Sequence, residues 1–98
     1  MASPITIGAA AITVAVANRN RVSIRFQNTS ATQVIYLKKI PSTGVVTVVS
    51  ATDYEIALQP VTALVDGSES FITNSISGFQ AIASAAAGVL AIYETVRV

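Results

Sequence analysis

Apolar and polar residues alternate with a period of two along most of the chain. The pattern is cleanest from Arg21 to Gln27, where Val22, Ile24 and Phe26 interleave with Arg21, Ser23, Arg25 and Gln27. Successive side chains of a strand point to opposite faces, so this segment reads as a strand with one buried face and one wet face. The same alternation marks Ile12-Val14-Val16, Val46-Val48, Tyr54-Ile56-Leu58, Phe71 beside Ser70, and the tail Val89 to Val98. Turn-forming residues separate these runs at Asn18 to Asn20, Asn28 to Thr32, Pro41 to Gly44, Ser50 to Asp53, Asp66-Gly67, Ser75 to Gly78 and Gly88. Seven to nine short strands, one about every ten residues, predict an all-β fold: a single antiparallel β-sandwich or jelly-roll-like barrel.

Residue types support the period. Val, Ile and Thr together supply 34 of the 98 residues, and β-branched side chains favour the pleated strand. Ala81 to Ala87 is the one helix-like stretch, but it is shorter than the roughly 12 residues an isolated helix needs. Gly78 to Ser84 is therefore assigned as strand and Ala85 to Gly88 as turn. Val34 to Leu37 and Val45 to Val49 place apolar groups on both faces, which requires a central position or a covering neighbour. Ile5 to Ala17 is apolar and ends in Ala15-Val16-Ala17, like a signal peptide. No Lys or Arg precedes it and Pro4 stands in the leader position, so a strand region is expected instead. The alternation Ile12-Val14-Val16 runs into the Asn18 to Asn20 turn as a hairpin would. Residues 1–98 make one domain, with 1–17 as its first strand or as an arm reaching a neighbour.

Charge narrows the function. Charged residues are 11% of the chain, against about 25% in an ordinary soluble domain. A small domain with so few charges carries apolar exterior, and such exterior marks contact with other proteins. A homo-oligomer is expected, with a trimer favoured. No uninterrupted apolar run reaches the roughly 18 residues of a spanning helix, so no membrane partner is expected. The net charge of +1 produces no field that would gather nucleic acid.

The chain contains neither His nor Cys, which removes the usual general base, the thiolate nucleophile and the commonest metal ligands. A Ser-Lys dyad would have to draw on Lys38 and Lys39, which fall on opposite faces of one strand near its end. Asp53 and Glu55, two apart, would share a strand face as a carboxylate pair or calcium ligands, yet no further acids lie close by. Asn28-Thr29-Ser30 matches a glycosylation sequon and reads better as a turn. No enzyme activity, cofactor or metal is expected. Candidate interface residues are Arg19, Arg21, Arg25, Lys38 and Lys39. Arg21 and Arg25 lie two pleats apart on one polar strand face, suited to phosphates, to acidic side chains of a partner, or to water. Nucleic acid has the least support, because Phe26 faces the other way and Tyr36 belongs to the next strand.

Several segments resemble small β-sandwich proteins of tailed-bacteriophage virions, a group of head decoration, cement and fibre-base modules. They are Arg21-Val22-Ser23-Ile24 leading into Gln27-Asn28-Thr29-Ser30, then Gln33 to Leu37, Leu64 to Phe71, Gly78 to Ser84 and Val89 to Glu94. The resemblance implies a capsid decoration or cement protein that stabilises a phage head by contacts with the major capsid or another virion protein. A tail, fibre or receptor-facing module is the alternative within that class. From another class, the rival is an OB-like single-stranded nucleic-acid binder.

Overall fold

The computed structural model describes residues 2–30, 33–40, 48–60, 70–85 and 88–97. Among them run eight strands: β1 (Ala2–Ile7), β2 (Ile12–Ala15), β3 (Arg21–Asn28), β4 (Ile35–Ile40), β5 (Ile56–Leu58), β6 (Ser70–Thr73), β7 (Gly78–Ala83) and β8 (Gly88–Val96). They form two four-stranded antiparallel sheets, ordered β1-β8-β3-β6 and β2-β7-β4-β5. Within the sheets β1 lies beside β8, β2 beside β7, β3 beside β6 and β4 beside β5. This nesting is the double-sheet jelly roll. It is not the five-stranded OB barrel, because consecutive strands here cross between two separate sheets. The strand expected at Gly78 to Ser84 is β7, whereas Gly88, expected in a turn, opens β8, and Asn28, expected to open a turn, is the last residue of β3. Of the strand expected at Val45 to Val49, residues 45–47 lie outside the described residues, as do the turns at Pro41 to Gly44 and Asp66-Gly67, while Val48 and Val49 belong to no strand.

The inward rows of the two sheets meet in one core. Phe26 of β3 and Phe79 of β7 pack edge to face across the layers, with ring centroids 4.9 Å apart. Around them lie Ile7, Ile24, Ile35, Leu37, Leu58 and Leu90, all essentially without solvent contact. Alanines of β7 keep the layers close. Ala83 approaches so near that a Cβ on Gly88 would stand 2.8 Å from the Ala83 Cβ and 3.1 Å from the Ile7 carbonyl oxygen.

The N-terminal segment is divided between the sheets. β1 pairs with β8 and buries Ile7, whereas β2 pairs with β7 and buries Val14. The expected hairpin of β2 and β3 does not form. Asn18 to Asn20 carries the chain from one sheet to the other, with the Asn18 amide bonded to the Ile76 carbonyl at 2.9 Å and the Asn20 amide bonded to Asn18 Oδ1. A sandwich of this kind buries both sheets by sending neighbouring strands into opposite layers.

The two-faced strand β4 is covered by its own chain. Ile35 and Leu37 face the core, while Tyr36 on the outer side stacks on Tyr54 with centroids 4.8 Å apart. Lys38 Nζ meets Asp53 Oδ2 at 2.7 Å, and the Val49 amide donates to the buried Gln80 Oε1. The segment Val48 to Glu55 thus lies over the outer face of β4 and β7.

Candidate assembly surface

β3 carries a polar side chain at each end of its inward row, and each seals one end of the sandwich. At the far end Asn28 is fully buried. Its Nδ2 donates to the carbonyls of Gln33 and Leu58, both at 2.8 Å, and its Oδ1 accepts the Ser30 amide. The Leu58 bond ties β3 to β5 of the opposite sheet. A buried amide with these three bonds is an organiser of the turn, as the Asn-Thr-Ser sequence suggests.

At the near end stands Arg21, and here the sequence pattern misleads. Strict alternation puts Arg21 outside with Arg25, and Val22 inside with Ile24. The register of β3 against β8 shifts between Arg21 and Ser23, so a bulge inserts one residue. A one-residue insertion reverses the faces before it. Arg21 turns inward and is 4% exposed, and Val22 turns outward. The guanidinium fork makes four hydrogen bonds: Nε donates to Glu94 Oε2 at 2.7 Å, Nη1 to the carbonyls of Ser75 and Ser77, and Nη2 to the Val16 carbonyl. Arg21 is therefore removed from the candidate interface. Four of its five N–H donors are spent on its own chain.

The other candidates do not form one patch. Arg25 sits on the outer face of the first sheet, 4.3 Å above the Tyr93 ring, with Nη2 bonded to Gln27 Oε1. Lys38 is paired with Asp53 on the outer face of the second sheet, and Lys39 is exposed near the end of β4. Asp53 and Glu55 precede β5 instead of sharing a strand face, and of the two only Asp53 has an ion-pair partner among the described residues. Among the described residues no group of three His, Cys, Asp or Glu is placed to hold a metal ion. No helix among them is long and apolar enough to cross a membrane.

Arg19 lies elsewhere, on the edge of an open groove of about 580 Å³. The groove runs over the β2 edge of the second sheet, between Val16 and Ala17 on one side and Ile40 and Ile76 on the other. Its floor is Gly78, where a Cβ would meet the Ala15 carbonyl oxygen at 3.0 Å, so glycine keeps the floor flat. Val16 is 74% exposed and Ile76 is 48% exposed, an unusual state for aliphatic side chains beside a concavity. Arg19 makes no ion pair among the described residues. The arrangement offers apolar contact and, among the described residues, one cation without an ion pair.

Sequence reasoning missed both Glu94 and this groove. A signal existed for Glu94, because Leu90, Ile92 and Glu94 share one row of the tail strand, and an acid on an apolar row calls for a buried cation. The groove had none, since its walls come from three separate segments.

No protein-family model and no curated protein matches the chain. Among solved structures the chain is similar to a protein of the Bacillus endospore appendages, which form a novel family of disulfide-linked pili. The TM-score is 0.50 and the identity 16%, over 99% of this chain and 85% of that one. At this identity the likeness is one of fold.

Proposed function

We propose that this chain is a structural subunit that acts through protein–protein contacts in a repeating assembly, without catalysis. The observation that carries the reading is apolar surface left over after folding is complete. Val16, Val48 and Ile72 are 74%, 67% and 64% exposed, and Val22, Ile76 and Val96 are nearly half exposed. With charges at 11% of residues, little else on this exterior keeps it monomeric in water. The likeness to an appendage pilus subunit supports a role in an extracellular fibre. Those pili are disulfide-linked, whereas these 98 residues hold no cysteine, so contacts made through these residues form without disulfides.

The capsid decoration reading is the second setting. It is favoured by the segments that resemble phage virion modules and by the jelly roll, a topology recurrent in viral shells. In that setting the partner is a coat protein as well as further copies of the chain.

Sedimentation velocity and electron microscopy of the purified chain test the proposal. Homo-oligomers, rings or filaments at micromolar concentration are expected, and they should persist in 0.5 M salt because apolar contact is insensitive to screening. Assembly only on added single-stranded DNA, lost steeply with salt, would point to nucleic-acid binding instead.

A further inference from the structure

Three acids fall within the described residues. Asp53 is held by Lys38 and Glu94 by Arg21. Glu55 makes no ion pair among the described residues and is exposed, directly after Tyr54, which is itself 44% exposed. The pair is held firmly in place. The Tyr54 ring leans on Tyr36, and the Glu55 amide donates to the Leu37 carbonyl at 2.9 Å. A rigid aromatic knob with an acid beside it loses little conformational freedom on binding.

This knob and the Arg19 groove are complementary in charge and lie on one sheet. β5, which Glu55 precedes, is one edge of the order β2-β7-β4-β5, and the groove starts at β2 on the other edge and reaches Gly78 of β7 and Ile40 of β4. Each surface carries exposed apolar side chains beside a charge with no ion pair among the described residues: Val16, Ile76 and Arg19 on one, Tyr54 and Glu55 on the other.

We propose that Tyr54 and Glu55 of one copy dock in the Val16–Ile76 groove of the next, with Glu55 paired to Arg19. Made once between each pair of copies, the contact is head to tail and generates a closed ring or an open filament; made reciprocally, it closes a two-fold dimer. The proposal rests on the assembly reading and specifies its contact.

Charge reversal tests it. R19E and E55R each place like charges across the contact, and each is expected to raise the concentration for half-assembly at least about tenfold. The double variant R19E/E55R, and an equimolar mixture of the two single variants, should both return assembly to near the wild-type level. Melting curves should not change, since neither residue has an ion pair among the described residues. A wild-type chain that stays monomeric overturns the assembly reading and this contact with it. A wild-type assembly indifferent to both reversals, or a double variant that stays dispersed, overturns this contact alone. Decanoate titration covers the other occupant: shifted Val16 and Ile76 resonances with assembly unaffected by the reversals would assign the groove to an amphipathic anion.

Discussion

Arg21 and Glu94 are 73 residues apart in sequence, and Arg21 Nε donates to Glu94 Oε2 across 2.7 Å. The pair joins the first long strand to the last and closes the end of the sandwich beside Val16. Glu94 keeps 34% of its side-chain exposure, so water screens it from one side. The three carbonyl bonds made by the same guanidinium do most to offset burial of the cation.

Arg21→Ala is therefore expected to act on folding. It leaves the Val16, Ser75 and Ser77 carbonyls without their donor, and a loss of about 2–4 kcal/mol is expected in urea denaturation. Arg21→Lys keeps the charge but not the fork, and should recover only part of that loss. A change below about 0.5 kcal/mol for Arg21→Ala, the range of ordinary surface positions, would show that water replaces the guanidinium at no cost.

Asn28 gives a second test at the other end of β3. Asn28→Ala removes two donors from buried carbonyls, which should cost about 1–3 kcal/mol. Asn28→Asp should cost more, because a carboxylate repels the same two carbonyls and is buried without a cation. Equal stability of the two variants, measured by thermal melts at neutral pH, would contradict the donor role assigned to Nδ2.

The approach of Gly88 to Ala83 predicts a rescue. Gly88→Ala forces a Cβ into space 2.8 Å from the Ala83 Cβ and should destabilise by about 1–3 kcal/mol. Adding Ala83→Gly vacates that space and should return part of the loss. Strict additivity in this double-mutant cycle would mean that the two sites do not touch.

Core and groove separate folding from assembly. Ile7→Ala should cost about 2–5 kcal/mol, since this side chain is fully buried between β1 and β7. Val16→Ser should change stability by less than about 0.5 kcal/mol and still reduce assembly seen by sedimentation. Destabilisation by Val16→Ser comparable to that of Ile7→Ala would place Val16 in the fold and not at a contact.

The sequence by itself determined the strands. Alternation at Ile24-Phe26, the short length of the alanine run, and turn residues near Asn28 and Gly88 are local signals, and local sterics settle them. It also determined the shortage of charge, and with it the apolar exterior. Only the tertiary structure decided which strands are neighbours, so the β2–β3 hairpin expected from chain order became a crossing between sheets. The same holds for Arg21. Its face depends on a bulge that pairing with β8 imposes, and one inserted residue exchanged Arg21 with Val22. Of the five basic residues that sequence offered as an interface, Arg21 went to the interior, Lys38 to Asp53 and Arg25 to the face of Tyr93. Arg19 was left beside a groove built from segments far apart in the chain. Burial of a charge is a property of its three-dimensional neighbours, and a linear pattern records only the neighbours along the strand.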